Sequence, residues 1–586
     1  MKTKSDMIRL APVVFFVSVI FLVVGLYEYS MPLSRFAFMA ETDETILYDC
    51  FSHIKAVAVI VSACVSALLL CYYLVTKKRR IRKSLLYIPL GIYAVSVLLS
   101  YAFSDYKEFA FWGNYDRFEG TIVHLCYIFM FFYTINCIDR ENEVKIILNT
   151  LFAAVTVACL IGLTQLLGYD FFSSDLGRFI MLAGKTEDLE ISPVGGGVYQ
   201  TVYNMNYVAF YLCLVIPSLI ERISDQISNA GSISKMSAGQ GLYTGWLAVL
   251  TVLIVVNIAG AGSIGSLPGI IIGVAVVVII KFSRKIKALL ITLAAACVFV
   301  AVMTSLGYFG TGYSLFWPDV NDRPQISYIR TCNNTVEFMI NDNKLITKYE
   351  SDKDGFTLQN EAGEYLDTFT LEETPYRYDF EDDAFNGVIS FEPIEEAGRI
   401  FALFRTKDMQ WLFEFTDSGA KYINSVGNQE ELDATTHADI IRNYSFGNGR
   451  GYIWDTTIPV ISMHPFIGSG ADTFMYVFPQ NDYATRYSHE QSTDCVYDKP
   501  HNMFLQLAVS FGLTGLAAFL SVILLSFLQI KKAYSCGKST SLSVAVFAGI
   551  ISFLVAALVN DSSVSVMPMF FGLLGCIDAV ASSGNL

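Results

Sequence analysis

Residues 449–517 concentrate the side chains that could do chemistry. The stretch begins GRGYIWDTTIPVISMHPFIGSGADTFMYVF and, after a polar interval, continues DKPHNMFLQLAVSFGLTG. Arg450 is a permanent cation whose planar fork matches phosphate oxygens. In HPFIGSG, Gly468 and Gly470 let the backbone bend tightly. His501 and Asn502 then stand at the mouth of an apolar helix, whose N-terminal dipole favours an anion. An Arg, a His and a helix N-terminus at a membrane surface make a candidate site for a phosphorylated lipid headgroup. Imidazole titrates near neutrality, so His501 could also move a proton. A lone His at a helix start is otherwise a cap or an interface residue.

The rest of the chain must deliver these groups to a membrane. Of 586 residues, 53% are hydrophobic and only 16% charged, against about 25% charge in soluble proteins. This excludes a soluble enzyme, a disordered chain and a secreted disulfide scaffold. The 14% aromatic share suits interfacial belts. A net charge of −14 argues against nucleic-acid binding. Apolar runs long enough for about 30 Å of hydrocarbon lie at 10–28, 53–75, 84–103, 120–138, 146–166, 201–220, 242–259, 265–280, 288–308, 503–530, 541–560 and 565–583. That predicts about twelve transmembrane helices, the first retained as a span. Alternating loops, including TKKRRIRK at 76–83 and KFSRKIK at 281–287, hold half of the 40 Lys+Arg. The positive-inside rule puts those loops, and both termini, in the cytoplasm of a multi-pass plasma or inner membrane protein.

The expected organisation is a membrane domain at 1–308, an extracytoplasmic loop at 309–500 and a second membrane part at 501–586. The loop carries 32 Asp+Glu against 14 Lys+Arg, so the acidity of the chain is external. That acidity reads as a solvated face, with cation binding or partner steering as the sharper alternative. Within the loop, 326–430 alternates like strands, with turn-like NDNK, NEAG and TKDM between them. It predicts an inserted β-rich domain. Residues 445–500 carry the motifs back to the bilayer. Cys50, Cys332 and Cys495 are the cysteines expected outside, and a Cys332–Cys495 bridge is one option. No cysteine spacing suggests a metal.

Polar residues within the spans gather at one set of ends. Gln165, Gln200, Asn204, Asn206, Asn257, His124, His501, Asn502, Gln506, Asn560 and Asp561 lie towards the outer side, with Arg117, Glu119, Arg178 and Arg450 in the adjoining loops. This predicts a polar pocket near the outer leaflet. A secondary transporter would place its site at the midplane of two related halves, and no such repeat is evident.

The motif segment resembles the O-antigen ligase and polymerase superfamily, the multi-span glycosyltransferases related to the Wzy polymerases. The resemblance rests on R-x-x-x-W (Arg450, Trp454), H-P-x-x-G-x-G (His464, Pro465, Gly468, Gly470) and H-N-x-x-L-Q-x-x-x-x-x-G-x-x-G (His501 to Gly515). WGNYDRFEGTIVHLCYIF, with Arg117, and YNMNYVAFYL, with Asn206, look like upstream family segments. The resemblance implies a GT-C-like, α-helical polytopic fold. It implies transfer of a glycan from an undecaprenyl-diphosphate carrier to an acceptor hydroxyl at the outer face, with no cofactor and no metal. The acceptor would be another glycan or a different surface molecule. In that scheme Arg450 holds the diphosphate, and His501 acts as base on the acceptor hydroxyl or positions the leaving group. Arg117, Arg178, Asn206, Trp454 and Asn502 are the substrate-binding candidates. Many members carry an Arg after a Ser where this chain has Ile264 in AGAGSIGSLPG, so either Arg117 or Arg178 supplies the second cation or the donor headgroup differs. A flippase of the same glycans, or an inactive relative whose β domain binds a partner, are the alternatives.

Overall fold

In the computed structural model the structure describes residues 4–31, 45–182, 197–281, 323–350, 355–371, 374–493, 495–537 and 540–583. Five helices are long and apolar enough to cross a membrane: His53–Val75, Glu141–Leu166, Met205–Ala230, Ala238–Ala261 and Met503–Ser535. At 1.5 Å per residue even the shortest covers about 30 Å. Five shorter apolar helices stand among them: Tyr87–Phe103, Thr121–Cys137, Ile264–Ile279, Ser541–Ala556 and Met567–Ser582. Their outer surfaces expose Leu68, Val75, Ile88, Val252 and Leu524, while Tyr127, Phe131, Leu151, Phe210 and Phe570 fill the interior. Large apolar side chains turned outward suit a lipid solvent, and the chain is a polytopic membrane protein.

The first expected span is corrected by the structure. Its helix is Lys4–Ser18, with Pro12 inside it, followed by a 3₁₀ turn at Ile20–Leu22. The chain then becomes extended, and Tyr27–Met31 pairs antiparallel with Thr45–Asp49. The expected span at 288–308 lies outside the described residues.

One end of the bundle is locked by ions. Arg9 pairs with Glu143, and Arg79 and Arg82 converge on Asp139. Arg82 Nη1 also donates to the Ala579 carbonyl at 2.9 Å. The other end carries the β region. There, strands from Ile326 to Gln359 form a four-stranded antiparallel sheet, and strands from Thr368 to Glu430 a seven-stranded one. Each is a meander of neighbouring strands. The period-2 pattern buries Val336, Phe338 and Ile340 on one face. These meet Phe391, Phe404, Trp411 and Phe413 in a shared aromatic core. Each such ring contributes about 1.5–3 kcal/mol by leaving water. The short helix Tyr483–Ser488 joins this core through Tyr483 and Tyr487. Cys332 and Cys495 are both free thiols, so the bridge considered above is not formed.

A helix break ties two motifs together. Met503–Ser535 is interrupted at Gly512, with φ 69° and ψ 175°. The HPFIGSG turn docks in the break. Leu513 N donates to Pro465 O at 2.7 Å, Ser469 N to Val509 O at 2.8 Å and Gly470 N to Ser510 O at 3.1 Å. Broken helix backbone inside a bilayer must find such partners. A Cβ on Gly468 would lie 2.4 Å from Ser510 O, and one on Gly512 would lie 2.4 Å from the Phe466 carbonyl carbon. The two glycines are therefore needed for contact as well as for φ.

Candidate functional site

Asn502 starts the long helix. Its side-chain oxygen accepts from Phe504 N at 2.9 Å and Leu505 N at 3.1 Å, as an N-cap does. Asn502, expected to bind substrate, has its acceptor oxygen occupied by the helix it caps. The residue before it, His501, is held in left-handed backbone, φ 50°. Trp454 fixes the approach, donating from Nε1 to Pro500 O at 2.9 Å. Trp454 thus positions the His501 peptide.

His501 Nδ1 lies 3.0 Å from Asp561 Oδ2. Asp561 sits in the loop before Met567–Ser583, and Gln506 anchors that loop by accepting from Ser562 N at 2.9 Å. Burial opposes the Asp561 charge, but His501, Arg117 and Lys499 overcome it and hold the carboxyl below its usual range. An ionised carboxylate only accepts hydrogen bonds, so Nδ1 is the donor and Nε2 is left as a base. His501 is partly exposed, while Asp561 is buried.

Arg450 faces the same carboxylate. It begins the regular turns of Phe446–Met463 after three left-handed residues, Gly447, Asn448 and Gly449. Its Nη1 donates to Gly447 O at 2.6 Å. Its Nε is buried without a hydrogen-bond partner, and no carboxylate forms a salt bridge with it among the described residues. Burial lowers its pKa and the Asp561 charge only partly restores it. A guanidinium so placed is short of an anion.

Two further cations complete the cup. Arg117 is buried and pairs through Nη2 with Asp472 of the GSGAD turn. Asp472 also accepts from Asn114 N at 2.8 Å and Glu119 N at 3.3 Å. Burial works against the Arg117 charge, and Asp472, Asp561 and Asp498 more than restore it. Lys499 bridges Asp116 at 2.7 Å and Asp498 at 3.0 Å. Burial opposes its charge too, but Asp116 and Asp498 push its pKa well up. Backbone strain collects here: Asp116, Phe118, Asp472 and His501 all have positive φ. The cup is therefore not simply cationic. Arg117, Lys499 and Arg450 face Asp116, Asp472, Asp498 and Asp561, and Arg450 is the cation least neutralised by a partner.

The remaining expected residues separate from this cup. Arg178 lies on the short helix Asp175–Leu182, whose Met181 and Leu182 pack with Phe51, Phe172 and Tyr199. Asn206 stands in the first turn of Met205–Ala230, half-buried. The next residue, Tyr207, is the one that meets the charges of the cup. His124 bonds the Tyr93 hydroxyl at 3.2 Å, ringed by Tyr127 and Phe511. Gln165, Gln200 and Asn257 form a separate network. Gln165 accepts from Gln200 N at 2.7 Å, and Gln200 Nε2 donates to Asn257 Oδ1 at 2.8 Å. That network satisfies irregular backbone ahead of Met205–Ala230 rather than facing a ligand.

Sequence reasoning missed Lys499, Asp498, Asp116, Asp472 and Tyr207. Two of these had a local signal: Asp472 closes the glycine turn, and Lys499 lies two residues before His501 in DKPH.

The family model described as O-antigen ligase matches residues 412–520. The match spans Arg450, Trp454, the glycine turn, Lys499, His501 and the Gly512 break, and leaves Arg117, Tyr207 and Asp561 outside it. No curated protein matches the chain.

Proposed function

We propose, from the premise that this segment belongs to the O-antigen ligase family, that the protein transfers a glycan from an undecaprenyl-diphosphate donor to an acceptor hydroxyl. The family carries glycan transfer in cell-surface polysaccharide assembly. The donor, the acceptor and the face of the membrane are our own reading. In it the β-bearing end of a twelve-span, GT-C-like bundle faces outward. The Arg9, Arg79 and Arg82 end is cytoplasmic, as the positive-inside rule would have it.

The chemistry follows from the cup. His501 Nε2 takes the proton of the acceptor hydroxyl. The acceptor oxygen forms a bond to the anomeric carbon, and the bond from that carbon to the diphosphate breaks. Asp561 keeps Nδ1 protonated and steadies the imidazolium that forms. Negative charge then grows on the departing lipid diphosphate, and Arg450 answers it because no carboxylate forms a salt bridge with it among the described residues. Arg117 is the second cation in this scheme, in place of the family Arg missing at Ile264. Ile264 is itself 76% exposed. The observation that carries the reading is the contact of His501 Nδ1 with the buried Asp561 Oδ2 at 3.0 Å.

The test is purified protein in lipid nanodiscs with undecaprenyl-diphosphate oligosaccharide. Chain extension would identify a polymerase, and transfer to a different added acceptor a ligase. Turnover that survives His501→Ala and Arg450→Ala unchanged would overturn the reading.

A further inference from the structure

We infer that Tyr207 is a further substrate-contacting residue, whose phenol donates a hydrogen bond to a phosphate oxygen of the lipid diphosphate. The inference rests on the function proposed above and adds a residue that neither the sequence motifs nor the family match include.

Tyr207 follows Asn204, which caps Met205–Ala230 by accepting from Asn206 N at 2.9 Å. The cap fixes the first helical turn and so fixes the direction of Tyr207. The side chain is 3% exposed. Its hydroxyl nevertheless has no hydrogen-bond partner. The charges that act on it are Lys499, Asp561, Asp116 and Arg117, the wall of the cup. Arg117 Nη1 is also buried and without a partner. Tyr207 in turn is among the groups acting on Arg117, so the two unpartnered donors share one charged field.

Leaving a buried donor unsatisfied costs about 1–3 kcal/mol, and native proteins hold few such groups. Two of them in the same charged field point to an acceptor that arrives with the ligand. Of the carboxylates in that field, Asp472 is engaged by Arg117 and two backbone amides and Asp116 by Lys499, while Asp561 Oδ1 is buried and has no hydrogen-bond partner. A diphosphate brings oxygens with several lone pairs each, and its charge strengthens each bond it accepts. Tyr207, Arg117 Nη1 and Arg450 Nε would then hold one anion from three sides. Asn206, one position earlier, is rotated by about 100° on the helix and cannot replace Tyr207.

Tyr207→Phe tests this with minimal disturbance, since it deletes only a hydroxyl that bonds to nothing in the protein. In nanodiscs, the unliganded melting temperature of Tyr207→Phe should match wild type, or rise slightly. Binding of undecaprenyl diphosphate should weaken by about tenfold or more, the usual worth of a hydrogen bond to a charged group. Binding of undecaprenol, which lacks phosphate, should not change. Transfer at subsaturating donor should fall by the same factor as the affinity. Wild-type affinity for undecaprenyl diphosphate in Tyr207→Phe, with His501→Ala still inactive, would overturn the role of Tyr207 and leave the glycosyl-transfer reading intact. Failure of the wild-type protein to bind undecaprenyl diphosphate at all would overturn both.

Discussion

His501 Nδ1 and Asp561 Oδ2 are 3.0 Å apart although 60 residues separate them in the chain. One lies at the start of a long helix and the other in the loop before Met567–Ser583. Gln506, on the helix that His501 opens, holds the Asp561 loop in place. The pair gives His501 a defined tautomer and joins the proton-moving group to the field of Arg450, Arg117 and Lys499.

Asp561→Asn should therefore reduce transfer by about 10²–10⁴-fold, because an amide can hold the imidazole in the wrong tautomer and cannot stabilise its cation. Donor affinity should change far less than turnover. Steady-state kinetics with varied donor separates the two, and an unchanged turnover number would refute the pairing.

Arg450→Lys keeps the charge but loses the fork. It should retain partial activity with a loss of about tenfold or more, while Arg450→Ala should lose about a hundredfold or more. Equal activity of the two variants would show that geometry at this position is irrelevant.

Lys499→Met removes a buried ammonium and leaves Asp116 without its cation. Breaking a buried pair in this way costs about 3–5 kcal/mol, so the melting temperature should drop by several degrees. Asp498→Asn should cost less, because Asp498 is partly exposed and Lys499 keeps Asp116. Thermal unfolding in detergent checks the order.

Gly512→Ala should prevent the HPFIGSG turn from docking. The residue has φ 69°, and a Cβ there would meet Phe466 backbone at 2.4–2.5 Å. Loss of monodisperse protein, or a marked fall in melting temperature, is the expected result. A folded and active variant would contradict the close contact.

Glu119 supplies a pH signature. Burial pushes its carboxyl up to about 7, above the unfolded value of about 4.3. A raised folded pKa means that its stabilisation is full below the unfolded value and is lost as pH rises through about 7. Glu119→Gln should then gain stability relative to wild type as pH rises from about 4.3 to about 7 and keep that gain above it, measured as the difference in melting temperature. A constant difference across that range would remove Glu119 from the account.

The sequence alone determined the solvent of this protein, its alternating β insertion and the local motifs. Those properties are written in composition and in periods of 2 and 3.6 residues, which need no knowledge of packing. Arg450, Trp454 and His501 were legible for the same reason: they fall within one short segment of recognisable spacing. Tertiary structure alone decided their partners. Asp561 reaches His501, and Asp116 reaches Lys499 across 383 residues, only because particular helices pack side by side. It also decided that Asn502 caps while Tyr207, not Asn206, turns to the charges. Side-chain direction depends on where a helix starts and how it is rotated, and hydropathy reports neither. A count of charges could not distinguish a bare cationic cup from one balanced by four carboxylates, since that balance is set by long-range pairing.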